Sequence, residues 1–362
     1  MTIIARHISK NLARYLFFVL LVAVGIFLSV DFFEKIDDFM EAGLPMSRAF
    51  AFFVLRVPFV AAQVLPVAVL LSVLFVFGIM SRNNEITAFR AGGGSPVRLL
   101  VPAISLGVLA ALGLLLFSES VVPHTARMAN KIWLGEVKKE LPKPGKESTD
   151  LWFSSRGLLG HVAHYVPASG TAFGVTLNFF DPRYRLIRRI DAESAEFDGK
   201  TWRLSRVLEQ TFSPTGDTAR SLGQRSVTLA VTPEDMKSAV RRPEESTYRD
   251  LSEHADRIEA EGYEAVRLRV DSAAKLAFPW VSLIMAVSAG GLAVSGGGRE
   301  SRGMAANAVI GITLAFAYWA VHSLALSVGY AGYYSPAVAA WTANAIFGAL
   351  AGFLLFRLRE SL

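Results

Sequence analysis

The stretch Ala49–Met80, AFAFFVLRVPFVAAQVLPVAVLLSVLFVFGIM, decides the fold: its 32 residues carry one charge, Arg56. As a helix it would rise roughly 48 Å at about 1.5 Å per residue, against a hydrocarbon core of about 30 Å. It is therefore long enough to extend past a bilayer or to tilt strongly. Arg56 lies within one or two turns of one end, where a long cationic side chain is expected to snorkel toward the interface.

Five further runs read the same way: Tyr15–Val30, Leu99–Phe117, Leu276–Val294, Ala305–Val328 and Pro336–Phe356. The first is short for a span, so Phe32 and Phe33 are expected to continue it as helix into the interface. It lacks a small-residue cleavage site and five spans follow, which argues against a cleavable signal peptide.

Charge orients the spans. Arg6, Lys10, Arg14, Arg82, Arg90, Arg98, Arg299, Arg302, Arg357 and Arg359 flank or connect the runs on one side, opposed only by Glu85, Glu300 and Glu360. The first connection has the opposite sign: Asp31, Glu34, Asp37, Asp38 and Glu41 stand against Lys35 and Arg48. Alternation of sign at each crossing is a positive-inside signature, not a nucleic-acid patch, and places both termini in the cytoplasm. Glu119–Asp271 holds 23 Lys and Arg against 23 Asp and Glu, so the large polar block between spans three and four is electrically neutral.

Inside that block, short apolar stretches alternate with turn signals: Leu151-Trp152-Phe153, Gly160–Val166, Ala172–Phe180, Arg185–Ile190, Thr201–Leu208 and Arg225–Val231. Asp181-Pro182, Asp198-Gly199 and Pro214-Thr215-Gly216 separate some of them. This spacing predicts an all-β sandwich, barrel or jelly roll. Ser246–Glu261 changes period, with Leu251, Ala255 and Ile258 on one face, and reads as an amphipathic helix ending at Gly262. The division expected is residues 1–119 with three spans, 120–272 with the β domain and its connecting helix, and 273–362 with three more spans. The two three-helix halves share no sequence similarity that would make them a repeat. The chain contains no cysteine, which excludes disulfides and thiolate metal sites and leaves the β domain to be held by its own core.

Catalytic patterns are missing from the sequence. His161 and His164, three apart in a strand, point to opposite faces and lack an obvious third zinc ligand. There is no G-x-x-x-x-G-K-[ST] for a nucleotide phosphate. Gly296-Gly297-Gly298-Arg299 has no strand before it and reads as a flexible basic turn.

The most distinctive local segment is Asn83–Ser95, NNEITAFRAGGGS. Asn84 is expected to cap a short helix over Glu85–Ala91, with Glu85 in the first turn where the helix dipole favours a carboxylate, and glycines to end it. Such a helix could carry a push from a soluble partner into both flanking spans; its composition suits an ordinary interfacial helix as well.

The pattern Glu85-x-x-Ala88-x-x-Ala91-x-Gly93-x-Ser95 resembles the coupling-helix segment of the LptF/LptG permeases, the membrane subunits of the lipopolysaccharide export ABC transporter. The resemblance extends to Arg14-Tyr15, the connection from Asp37 to Gly43, Gln63-Val64-Leu65-Pro66, Glu119-x-x-x-Pro123 and Lys275-Leu276-Ala277-Phe278-Pro279. Leu151-Trp152-Phe153 and Thr201-Trp202-Arg203-Leu204 look more like LptG than LptF.

The resemblance implies a Gram-negative inner-membrane protein of six transmembrane helices with an inserted periplasmic jelly-roll-like β domain. It implies no cofactor in this chain, with ATP and magnesium held by a partner LptB-like ATPase dimer. A homologous LptF-like permease, an LptC-like bitopic protein, a periplasmic bridge and lipopolysaccharide are the other partners implied. Coupling to the ATPase would fall on Glu85, Ile86, Ala88, Phe89, Arg90, Ala91 and Gly93, with Ile86 and Phe89 equally able to pack on neighbouring spans. Spans one and five would gate the lipid cavity, which makes Leu28, Phe32, Phe33, Lys35, Phe316, Trp319 and His322 candidate contacts; helix packing is the alternative for each. The acidic end of span one departs from the basic one the family leads one to expect. Phosphate contacts would then come from Lys35, Arg48 or the partner subunit, or divalent ions would bridge, or the lipid would carry fewer phosphates.

Two other classes are open on the residues alone. A secondary transporter is disfavoured because Arg56, His322 and Lys275 are almost the whole ionisable content of the spans. A membrane-anchored scaffold whose β domain recruits periplasmic partners needs fewer than six spans.

Overall fold

The computed structural model describes residues 3–138, 148–155, 157–166, 170–181, 183–199, 201–213, 216–229, 243–260, 264–295 and 304–360. Gly262 and Gly296–Arg299, read above as a helix end and a basic turn, lie outside them.

Nine α-helices are described: α1 (Ile3–Glu41), α2 (Met46–Arg82), α3 (Glu85–Ala91), α4 (Pro96–Asn130), α5 (Tyr248–Ala260), α6 (Val266–Ala277), α7 (Val281–Ser295), α8 (Met304–Tyr330) and α9 (Pro336–Glu360). A π-helical segment, Lys131–Val137, prolongs α4, and a 3₁₀ turn, Phe278–Trp280, joins α6 to α7. The result is six helices long and apolar enough to cross a membrane: α1, α2, α4 with its extension, α6–α7, α8 and α9. Spans one, three and four exceed their apolar runs because their polar ends remain helical, and α1 does run through Phe32 and Phe33.

The centre of the bundle is α2. Val69, Leu70, Val73, Leu74 and Phe77 are fully buried, packed with Ile8 and Leu12 of α1, Leu99 and Leu100 of α4, Met285 and Ala289 of α7, and Tyr318 of α8. Small residues set the spacing where helices meet, since lipid tails compete with any apolar side chain and close backbone approach must supply the packing. Ala286 of α7, for instance, lies over Gly107 of α4 so closely that a Cβ there would clash.

The break between α6 and α7 follows from Pro279, which has no N–H to donate and ends the α-helical ladder. One carbonyl exposed there is recovered across the bundle: the Asn344 side-chain amide donates to Ala277 O at 2.7 Å, and the Tyr318 hydroxyl donates to Asn344 Oδ1 at 2.8 Å. Discontinuous helices survive at membrane depth when neighbours satisfy the freed groups in this way.

The inserted domain is a six-stranded antiparallel sheet: β1 (Ser148–Ser155), β2 (Leu158–Val166), β3 (Thr171–Phe180), β4 (Leu186–Phe197), β5 (Trp202–Thr211) and β6 (Thr218–Val227). The strands pair in chain order through short hairpins, so the described strands make an up-and-down meander without a Greek-key crossover. Val162, Val175, Leu177, Ile190, Leu204 and Trp202 build the core. The sixth strand was expected at Arg225–Val231 and is centred earlier. As the sheet edge it exposes most of its side chains, so no apolar alternation marks it in the sequence.

After the sheet, α5 is the expected amphipathic helix, with Leu251 and Ala255 buried. Thr247 and Asp250 form a reciprocal capping box: Asp250 N–H donates to Thr247 Oγ1, and Thr247 N–H to Asp250 Oδ2, both at 3.0 Å. Glu119 of α4 accepts the Tyr248 N–H at 2.8 and 3.0 Å, Arg127 of α4 pairs with Asp250 at 2.9 Å, and Arg269 of α6 pairs with Asp256 and Glu259. The return helix of the sheet is thus fastened to spans three and four, at what we call the sheet-side end of the bundle.

Candidate functional site

At the opposite end, α3 spans the turn between α2 and α4. Asn84 precedes it in the left-handed region at φ 58° and makes no side-chain cap, contrary to expectation; a left-handed N-cap cannot aim its side chain at the first-turn N–H groups. Asn83 reaches the first turn instead, its side-chain amide donating to Glu85 Oε1 at 3.2 Å. Gly93 ends the helix at φ +78°, which favours glycine, and Gly94 N–H donates to Phe89 O at 2.9 Å. The Phe89 ring lies across Gly94, where a Cβ would clash with the ring.

The seven expected coupling residues divide by face. Glu85, Ala88, Ala91 and Gly93 are exposed. Ile86 is 1% exposed within the bundle core, and Phe89 packs against the same core half-buried. Arg90 is half-buried. The helix therefore presents one acid on a small-residue face and is anchored from behind by two large apolar side chains.

The lipid candidates fall in two separate places. Leu28, Phe32 and Phe33 of α1 line an apolar pocket of about 520 Å³ with Met46, Phe50 and Phe53 of α2. Trp319 and His322 of α8 line a second cavity, about 300 Å³, whose walls come also from α2, α4 and α6. Phe316, one turn from Trp319, is 77% exposed on the apolar surface of α8. Within one chain, spans one and five do not meet in a single site.

Lys35 and Arg56 are engaged elsewhere. Arg56 does not snorkel: its guanidinium stands 3.3 Å from Asp31 Oδ2, an ion pair without an aligned hydrogen bond, and lies over the Phe52 and Phe59 rings at 5.7 Å. Lys35 pairs with the other oxygen of Asp31, which is 5% exposed. One more acid of the patch is paired, Asp38 to Lys138 at 2.7 Å, and the nearby Arg48 meets Glu136 at 3.4 Å. Between them, the Trp133 ring receives Lys35 at 5.4 Å and Lys138 at 5.2 Å and stacks on Phe52 at 5.6 Å. Two of the five acids after span one, Asp31 and Asp38, thus bind α1 to α2 and to the end of the helical extension leading into the sheet.

The Asp31–Arg56 pair escaped sequence reading although its signal was present. The α1–α2 turn centres near Gly43, and the two residues lie 12 and 13 positions on either side (43 − 31 and 56 − 43), hence at one height in a helical hairpin.

Six membrane-competent helices, a short helix exposed between the second and third, an apolar pocket beside the first, a partly polar cavity beside the fifth and a sheet inserted midway are the frame of a membrane permease. The family model for the lipopolysaccharide export system permease LptF/LptG matches residues 6–357, and the chain belongs to that family. The model covers LptF and LptG together. No individual curated protein matches the chain.

Proposed function

We propose that the chain is the LptG-type subunit of an ATP-driven lipopolysaccharide exporter in the inner membrane of a Gram-negative bacterium. Its termini and α3 face the cytoplasm and the sheet faces the periplasm, the orientation favoured by Arg82, Arg90 and Arg98 around α3. An LptF-like permease completes the membrane part, an LptB-like ATPase dimer holds ATP and magnesium, and an LptC-like protein and periplasmic bridge receive the lipid.

The observation that carries this reading is the two-faced α3. An exposed Glu85, Ala88 and Ala91 face offers a carboxylate and a close-approach surface to a groove with a basic residue. Ile86 and Phe89, held in the core, pass any displacement of α3 to α2 and α4. Closure of the ATPase then narrows a lipid cavity shared with the partner permease, bordered by Leu28, Phe32 and Phe33 on one gate and by Phe316 and Trp319, which are exposed on α8, on the other. Lipid acyl chains fit the apolar pocket on α1, and the inserted sheet supplies the exit.

Glu85→Lys tests it. Because Glu85 is exposed, the variant is expected to fold and insert normally, yet to lose the ATPase from the purified complex or to uncouple its hydrolysis from lipid export. Normal assembly with normally coupled hydrolysis would contradict the docking role.

A further inference from the structure

Three of the motifs read separately in the sequence, in spans two, three and four, meet in the structure at the 300 Å³ cavity of the sheet-side end. Gln63 of α2, Ser118 and Val122 of α4, Lys275 of α6 and His322 of α8 line it. So does Glu244, in the 3₁₀ turn Pro243–Glu245 that follows the sheet in the chain.

Lys275 and Glu244 bring opposite charges into this one cavity and do not pair. Both are half-buried, and neither makes a hydrogen bond or ion pair with any described residue. The other acids around Lys275 are committed: Glu119 accepts the Tyr248 N–H, Asp250 pairs with Arg127, and Asp271 accepts the Tyr330 hydroxyl at 2.6 Å. A cation and a carboxylate held apart in a partly desolvated space attract more strongly than they would in water. His322 repeats the pattern with neutral groups. It is 5% exposed, its Nδ1 has no hydrogen-bond partner among the described residues, and the side chains of Gln63 and Ser118 have none there either.

The two charges ride on different bodies. Glu244 goes with α4, because its neighbour Glu245 accepts the Asn130 amide at 2.6 Å on its carboxylate and the Arg127 guanidinium at 2.5 Å on its carbonyl. Lys275 goes with α6 and α8, which the Asp271–Tyr330 bond joins. The connecting helix α5 is held by α4 at its first turn and by Arg269 of α6 further along, so it links the bodies without closing the gap between them. In turn, α4 runs as one helix from Pro96, just after α3, to Asn130. It bears on α7 at Gly107, where a Cβ would stand 2.8 Å from Ala286 Cβ and 3.0 Å from Leu283 Cα. Contact that close acts as a fulcrum. Eleven residues (107 − 96 and 118 − 107), about 16 Å of helix, separate it from Pro96 on one side and from Ser118 on the other. A sideways push at α3 therefore reaches Ser118 with similar size and opposite sign.

We infer that Lys275 and Glu244 are the closing contact of the transport cycle: apart in this structure, they pair when α3 is displaced and α4 pivots on α7. Pairing shuts the cavity and carries the stroke of the motor into the root of the sheet. The inference rests on the ATP-driven export proposed above. Both are positioning residues that hold α4 against α6, and neither needs to touch the lipid.

Because the chain contains no cysteine, the closure is measurable by cross-linking. Val122→Cys on α4 with Ala274→Cys on α6 sets this chain's two thiols in the cavity wall and leaves the charged pair intact. In the full-length protein with its co-purifying subunits in nanodiscs, a disulfide is expected to form slowly without nucleotide and readily once the ATPase is trapped with ATP and vanadate. Adding Lys275→Gln or Glu244→Gln should cut the trapped-state rate about tenfold, the size of one lost charge-assisted hydrogen bond. The nucleotide-free rate should stay unchanged, which shows that the fold is intact, and Lys275→Arg should keep most of the trapped-state rate. Cross-linking that quickens as much on trapping in Lys275→Gln, or that does not quicken in a complex whose ATP hydrolysis drives export normally, overturns the closing pair and leaves the export function standing. Lys275→Arg losing as much as Lys275→Gln assigns the effect to packing and also overturns it. A preparation with no ATPase in it would remove the export function, and the closing pair with it.

Discussion

Asp31 holds two cations at once in an apolar hairpin, accepting Lys35 one turn away and facing Arg56 across to α2. Its side chain is 7% exposed and that of Arg56 19%, so neither charge has much water to fall back on. Removing one member of such a buried pair costs about 3–5 kcal/mol, because the other is left without a partner. Asp31→Asn is therefore predicted to lower the thermal unfolding temperature of the detergent-solubilised protein markedly. Asp31→Asn combined with Arg56→Gln should lose less than the sum of the two single changes by about 1 kcal/mol or more. Strict additivity would mean that the pair is not coupled. Composition could show these charges but not whom they meet: the same acids and bases, read along the chain, looked like a patch ill-suited to an anionic lipid. Ile86 is the converse case, since a seven-residue segment has too few apolar positions to tell an inward anchor from an outward contact.

At the scale of elements, α5 illustrates how a polar helix is fixed without a large core. Burial raises the Asp250 carboxyl, but hydrogen bonds from the Thr247 N–H and hydroxyl and the charge of Arg127 more than offset it, and the group titrates below the usual carboxylate range. A depressed folded value contributes stability above the unfolded pKa of about 3.9 that is lost as pH falls through the folded value. Glu259, lowered chiefly by its hydrogen bond from Arg269, shifts in the same direction. Docking of α5 should thus be constant from pH 7 to about 5 and loosen below about 4. Amide exchange across residues 248–260, corrected for intrinsic pH dependence, reads this; exchange that quickened between pH 7 and 5 would point to other groups. Both carboxylates are largely exposed, so the effect is local and screened by salt. The helix itself was legible from its period. Its fastening to Glu119 and Arg127 was not, because span three ends in the sequence at Phe117 by hydropathy while the helix continues to Val137.

For the molecule as a whole, six spans and an inserted β domain followed from apolar run length and from alternation, two signals that depend only on burial and solvent. What stayed hidden are relations between distant segments. The convergence of Gln63, Lys275 and His322 on one cavity, the Asn344 bridge to the Pro279 break, and the exposed edge strand β6 all require the packed structure. The two-faced α3 joins these levels, since the exposed Glu85 is useful to a motor only if Ile86 is locked into the spans that must move. The central claim, that the chain is a permease subunit driven through α3 by a separate ATPase, is tested most directly by mild-detergent purification from native membranes followed by identification of co-purifying chains. It predicts recovery of a second six-span member of the same family together with a P-loop ATPase, the latter lost from Glu85→Lys or retained with its hydrolysis uncoupled from export. Recovery of the chain with neither, accompanied only by proteins bound to its sheet, would contradict it.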